Sequence, residues 1–332
     1  MKHKILSLLL LGLLSMLYAE IFSGASQLWF INPFGILYTY PLYMLHTVFF
    51  LSIALRYQKT SIRHLYFFGI LFGLYEAIIT KVLWQGYMNE TGPGLGKILG
   101  IAAIEFPILT FFWHPIFSFI LPILTYQLLS GHILNDHVNM LTPSKQKNII
   151  GFIVLIAIST FIVNGNQQNL ISALLAFGGT VLLIVIVMRL IGDKPLSIER
   201  FKEMNLIGIF VLLIAIYLFG GFCLMADRFP NQLIPYITIG AFYVFMIWML
   251  FRSSPSNTFI SEVTNQYQVR TLIIMMIMLF VMIVGMSFIW TIGNIVMVIA
   301  YFVYTIIGII IFATCVFQEF KRKDYKHIEN EN

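Results

Sequence analysis

Ten long apolar runs dominate this 332-residue chain, near residues 5–22, 35–55, 65–84, 98–130, 149–164, 170–189, 205–225, 233–251, 271–290 and 295–317. A helix needs about 20 apolar residues to cross the hydrocarbon core of a bilayer. Most of the runs meet that length, while 149–164 is short and 98–130 is too long for one straight crossing. The runs are continuous rather than alternating, so the strands of a membrane barrel are not expected. The predicted fold is therefore all-α, a polytopic bundle of about ten transmembrane helices with both termini cytoplasmic. Only 10% of residues are charged, against about a quarter in a soluble domain.

The net charge of +6 invites a nucleic-acid reading, but its distribution assigns it to topology. With the N-terminus inside and ten single passes, every Lys and Arg except Lys81, Lys97 and Arg228 falls in a cytoplasmic segment. That is the positive-inside bias, and it leaves nucleic-acid binding without support. The same rule settles the 98–130 stretch, because two crossings there would turn every later basic loop outward. One long broken crossing, or a re-entrant piece plus one crossing, keeps the pattern; Pro107, Pro115 and Pro122 each remove a backbone donor, and the stretch is read as one kinked or interrupted span. Membrane lipids are the expected surroundings, and the cell membrane the expected location.

Four regions follow: polar-site-bearing helices over 1–130, a cytoplasmic loop over 131–148, apolar helices over 149–317 and a charged cytoplasmic tail over 318–332, read as an extension of the last helix. Met1 to Tyr18 resembles a signal peptide, yet cleavage after Ala19 would place Leu17 where a small residue is wanted, so an uncleaved helix is expected. Cys223 and Cys315 fall toward opposite membrane faces, which argues against a disulfide. Two outer segments stand out. Ser23 to Pro33 carries Trp29 and Phe30 and suits a loop dipping back into the membrane, while Gln85 to Lys97, with Gly92, Gly94 and Gly96, reads as a flexible loop or lid. Ordinary connectors carrying aromatic belt residues would look the same. Asn89-Glu90-Thr91 matches a glycosylation sequon.

Ionisable residues inside a bilayer are costly and mark functional sites by default. All of them lie early: Glu20, His46, Glu76, Lys81, Glu105 and His114 interrupt runs before residue 130, whereas the run interiors after 148 contain none. Their positions along the helices place all six in one layer between the midplane and the outer surface. Gly69, Gly73, Glu76 and Thr80 recur at helical spacing and share a face, and Gly69-x-x-x-Gly73 permits close helix approach. Thr39, Tyr43 and His46 form a polar stripe on the second helix, and His114 lies one turn from Ser118. Glu105 falls opposite His114 on an ideal helix, since nine residues at about 100° leave a half-turn; only a break near Pro107 could join them. For Lys81, snorkelling to the surface and a place in the site are equal readings.

Carboxylates with imidazoles can form a general acid–base pair that activates water. They can also ligate metal, although neither His-Glu-x-x-His nor Glu-x-x-His spacing occurs, and no cofactor is assigned. Ser118 or Ser26 could serve as a nucleophile, the latter in an incomplete Gly-x-Ser motif. Protonation and release would serve transport instead, and a cluster that only locks helices together is a third reading. The second half lacks counterparts to Glu76, Glu105 and His114, which disfavours the inverted repeats of many transporters.

The segments Glu20-x-x-Ser23-Gly24-x-Ser26, Asn32-Pro33, Gly69-x-x-x-Gly73-x-Tyr75-Glu76-x-x-x-Thr80-Lys81 and His114-x-x-x-Ser118-x-x-x-Pro122 resemble a group of uncharacterised prokaryotic multi-pass proteins. That resemblance covers about the first 130 residues. Glu76 followed by His114 is also similar to the CAAX-type glutamic intramembrane proteases, where a Glu-Glu-x-x-x-Arg helix and later histidines activate water. Here Tyr75 stands at the first Glu, Lys81 is one place beyond the basic position, and no Phe precedes His114 by four. His132-x-x-x-Asp136 imitates the final motif from a cytoplasmic loop. The expectation is an outward-facing site of Glu20, His46, Glu76, Glu105 and His114 in a hydrolase-like enzyme acting on a lipid or membrane peptide, with a proton- or cation-coupled transporter as the alternative.

Overall fold

The computed structural model describes residues 2–87, 92–192, 196–256, 258–262 and 266–330. The Asn89 sequon lies outside the described residues. The chain order is α1 (Lys2–Met16), α2 (Tyr40–Arg56), α3 (Ile62–Gly73), α4 (Val82–Gln85), the short strands β1 (Lys97–Ile98) and β2 (Ile101–Ala102), a π helix (Pro107–Ile120) and α5 (Leu121–Ser130). There follow β3 (His132–Leu134), α6 (Val138–Leu141), α7 (Lys145–Gly165), α8 (Leu170–Ile191), α9 (Leu206–Cys223), α10 (Ile234–Arg252), β4 (Ile260–Glu262), α11 (Gln266–Phe288) and α12 (Trp290–Asn330). Among the described residues, nine helical stretches are long and apolar enough to cross a membrane. The tenth predicted crossing is broken: α3 ends at Gly73, passes through a 3-10 turn at Leu74–Ala77 and resumes only as the single turn of α4.

Local chemistry sets these boundaries. Ser61, Ser144, Asn169 and Asn205 accept backbone N–H bonds at the starts of α3, α7, α8 and α9, satisfying donors that a first turn leaves free. Pro107 opens the π helix, where its missing N–H costs nothing. The 98–130 stretch is therefore not one kinked span. Its first part is a β1–β2 hairpin turned through Leu99 (φ 49°) and Gly100 (φ 78°), and its single crossing is Pro107–Ser130. The apolar residues of the hairpin extended the hydrophobic run without belonging to the helix.

The early helices form the centre. Of the most apolar 18 residues in Pro107–Ser130, 83% are buried within the protein, and in His3–Ile21 72%, against 11% in Val269–Phe288 and 22% in Leu206–Cys223. The later helices thus present most of their surface to lipid, as their uninterrupted apolarity requires. Closest to the centre, α3 packs on the π helix through its glycines. A Cβ at Gly69 would collide with the backbone of Pro115, and one at Gly73 would stand 3.0 Å from the His114 Cβ.

One membrane face is basic and tied together by loops. Lys4 donates to the Glu203 carbonyl at 3.3 Å, Arg56 to that of Lys202 at 2.9 Å, and Arg63 pairs with Glu319 at 3.0 Å. The start of α1 and the later part of α12 therefore share this face. His132 to Leu134 pairs antiparallel with Ile260 to Glu262, and buried His137 donates or accepts at Gln127 and bonds the Thr60 carbonyl at 2.7 Å. Beyond the bilayer, α12 continues as helix to Asn330. On the other face, the loop after α1 does dip inward: Trp29 donates to Thr180 of α8 at 3.0 Å and stacks on Tyr40 at 5.2 Å. Both cysteines are free thiols.

Candidate functional site

The site forms where two helices depart from α geometry. The break after Gly73 carries Tyr75 and Glu76, and the π helix facing it carries His114 and Ser118. Tight 3-10 turns and wide π turns within membrane helices recur at functional sites, because they aim side chains and free backbone groups. Irregular backbone at this depth is tolerated only when enclosed by protein, and Leu74, Tyr75, Glu76 and Ala77 are all buried. The predicted common face holds for Gly69 and Gly73, which seat the π helix. Glu76 and Thr80 lie beyond the end of α3, so their positions come from the break rather than from helical period.

His114 Nε2 lies 3.1 Å from Glu76 Oε1, and His114 Nδ1 lies 2.9 Å from Ser118 Oγ. With Nε2 protonated and donating to the carboxylate, Nδ1 accepts the Ser118 hydroxyl. Thr80 donates to the Glu76 carbonyl at 3.0 Å and to its Oε2. The imidazole is 1% exposed and Ser118 0%, whereas Glu76 retains 8% and Thr80 is half-buried. The reachable edge of the pair is thus the carboxylate.

Two tyrosines, Tyr43 and Tyr75, stand within electrostatic reach of both Glu20 and Glu76. Glu20 sits in the π turn at Leu17–Ile21 that ends the first span and accepts the Ser26 hydroxyl from the dipping loop. Tyr43 and Tyr75 share a bond of 2.7 Å. The result is a polar path in three bonded pieces, Ser26–Glu20, Tyr43–Tyr75 and Glu76–His114–Ser118, drawn from α1, its following loop, α2, the break and the π helix. Beneath it, Ser15 donates to the Ser118 carbonyl at 2.8 Å and accepts from Thr47 at 3.1 Å. Each hydroxyl both donates and accepts, and the bonds within each piece hold its members in fixed geometry.

Three predicted residues fall elsewhere. His46 lies beside the path without bonding to it; it donates from Nδ1 to the Leu42 carbonyl at 2.7 Å, while Nε2 meets Tyr217 of α9 at 2.9 Å. Its ring stacks on Phe72 at 4.9 Å, so it acts as a fully bonded partner in the wall. Glu105 is not brought to His114. The break near Pro107 places it at the outer end of the π helix, where Oε1 accepts from Gly94 N at 3.3 Å. Lys81 does not snorkel: it is 0% exposed, and its ammonium donates to the carbonyls of Ile79, Gly220, Gly221 and Leu224. The ammonium caps the C-terminal end of α9, where helix dipole and orphan carbonyls favour a cation.

His132 and Asp136 are on the basic face, away from the path. Among the described residues no group of three or more His, Cys, Asp and Glu side chains is placed to hold a metal ion. The sequence did not single out Tyr75 or Tyr217 as site residues. Tyr75 was visible within a family resemblance and as a departure from a protease motif, without a role of its own, and Tyr217 lies in a helix without ionisable residues.

Fold and site together define a polytopic helical membrane protein with a buried carboxylate–imidazole pair. The chain belongs to an uncharacterized membrane protein family, whose profile matches residues 9–322, well past the first 130 residues on which the sequence resemblance rests. An uncharacterized protein of Archaeoglobus fulgidus is 38% identical over 147 residues, covering 43% of this chain and 43% of the relative. No solved structure matches. The likeness to CAAX-type proteases gains no support from these comparisons.

Proposed function

We propose that this protein is a membrane-embedded hydrolase acting on a lipid or membrane peptide, with Glu76 as base and His114 as its partner. The observation that carries this reading is the Glu76–His114 pair, 3.1 Å apart at a helix break. Water held against the accessible carboxylate gives a proton to Glu76 as its oxygen bonds to the scissile carbonyl carbon. The bond to the leaving group then breaks as Glu76 passes that proton on to it, so Glu76 returns to a carboxylate and the cycle closes without external oxidant or reductant. His114 holds the carboxylate through its Nε2–H throughout. Ser118 is fully buried on the far nitrogen and orients the ring rather than attacking. Thr80 fixes Glu76 from its other oxygen. The basic face supports an orientation with this site toward the outside of the cell membrane.

The test is hydrolysis of fluorogenic phospholipid and of a membrane-spanning peptide by protein in lipid vesicles. Glu76→Gln and His114→Ala should each lower the rate by about 100-fold or more, the usual worth of an acid–base group. A second reading, proton- or cation-coupled transport, is favoured by the buried polar groups that run from Glu76 and His114 through Ser118 to Ser15 and Thr47. Vesicle proton flux that requires Glu76, without hydrolysis of either substrate, would replace the first reading by the second.

A further inference from the structure

Glu105 has chemistry of its own. Its carboxyl is 1% exposed, and among the described residues Oε1 has the Gly94 N–H while Oε2 has no hydrogen-bond partner. A carboxylate oxygen kept from water and left unpaired is costly, and it selects for a cationic donor. Its cover is light, because the Pro93–Gly96 turn is held by N–H bonds from Gly96 to Pro93 and from Ala103 to Gly96, both 3.0 Å. A Cβ placed on Gly92 or Gly96 would meet nothing within 4 Å, whereas one on Gly86 would stand 2.8 Å from the Pro93 Cα, so lifting this turn parts Pro93 from Gly86.

An apolar groove of about 620 Å³ opens on the side of the bundle, lined by Leu99, Ile234, Ile237, Ala241, Phe242 and Phe312. The two features are joined. Phe106, the next residue after Glu105, packs its ring on Phe242 at 4.7 Å, and Thr238 in the groove donates to the Leu99 carbonyl at 2.8 Å. Such a groove at membrane depth accommodates hydrocarbon, while the free carboxylate oxygen accommodates a charged N–H donor. A primary ammonium carries three such donors, and a quaternary ammonium carries none.

We infer that Glu105 and the Leu99–Phe242–Phe312 groove together bind a phospholipid with a primary-amine head, its ammonium on Glu105 and an acyl chain in the groove. The inference rests on the hydrolase reading for its substrate role, but not for binding.

The experiment is native mass spectrometry of the full chain in detergent, titrated with phosphatidylethanolamine and phosphatidylcholine of identical acyl chains. Wild type should retain the ethanolamine lipid about tenfold better, the worth of one charge-assisted hydrogen bond. Glu105→Gln should abolish the preference, Glu76→Gln should keep it, and Ala241→Trp should weaken both lipids by filling the groove. The Trp variant guards against a Gln variant that fails to fold. Equal retention by wild type, a preference that survives Glu105→Gln, or displacement of the lipid by a peptide with a free amino terminus would overturn the inference. A preference without any hydrolysis would leave this site standing while the hydrolase reading fell; Glu76-dependent hydrolysis without a preference would do the reverse.

Discussion

Replacing Gly69 with alanine tests whether the two glycines of α3 hold the π helix and its histidine in place. The added Cβ would stand 3.0 Å from Pro115 Cβ and 3.2 Å from its carbonyl carbon, with the Pro115 Cα nearer still. Favourable carbon contacts begin at about 3.5 Å, and a radial gap of about 0.5–1 Å already forfeits a quarter to a half of each contact. The obstacle is backbone, so no rotamer relieves it and the two helices must separate. Overpacking of this kind costs about 1–3 kcal/mol, set against a gain of about 1 kcal/mol for alanine over glycine in a helix. The net is a loss of roughly 0–2 kcal/mol. The control is Gly285→Ala in α11, where nothing lies within 4 Å of the new Cβ and stability should hold or rise. Thermal unfolding of the purified variants in the same detergent gives the comparison. If Gly69→Ala matches or exceeds Gly285→Ala in stability, the proposed seat for the π helix is wrong. At Gly73 the clash is with the His114 side chain instead, 3.0 Å to Cβ and 3.3 Å to Cδ2, so Gly73→Ala should disturb activity more than stability.

Lys81→Met should cost about 3 kcal/mol, because it leaves buried carbonyls at the end of α9 without a donor; Lys97→Met, exposed and bonded to Gln85 alone, should stay within about 0.5 kcal/mol, both read from denaturant unfolding. Burial holds the His137 imidazole below its ordinary pKa, against the opposing pull of its bond to the Thr60 carbonyl. A base whose folded pKa is depressed gives its stability in full above the unfolded value of about 6.5 and loses it as the pH falls through that value toward the folded one, since the unfolded chain then takes up the proton first. Melting temperature should therefore drop between about pH 7 and pH 5, and His137→Gln should flatten that dependence; an unchanged slope in the variant would refute the assignment. Trp29→Phe should cost about 1 kcal/mol through the lost bond to Thr180, and combining it with Thr180→Val should add little, whereas full additivity would mean that the loop is not anchored there.

How much of this was legible depends on which physical term placed each residue. Transmembrane runs, the basic face and the central position of the early helices follow from hydrophobic burial and charge cost, which act residue by residue and can be read along a chain. The same terms bring Glu20, Glu76 and His114 to one depth, and they explain why those three meet. They do not fix azimuth. Regular helix geometry extended α3 through Glu76 and put Glu105 opposite His114, yet the chain breaks at Gly73 and widens to π turns after Pro107, a choice made by packing of Gly69 and Gly73 against Pro115 and His114. Lys81 illustrates the same limit. A lysine near a helix end reaches water when water is the best available acceptor, and here four carbonyl oxygens from its own segment and α9 are nearer. Tyr75 was hidden for a related reason: an aromatic residue in a membrane helix reads as apolar filling until a partner is found for its hydroxyl. Tyr43, legible as part of the polar stripe on the second helix, supplies that partner at 2.7 Å, a contact between two segments rather than a motif within one.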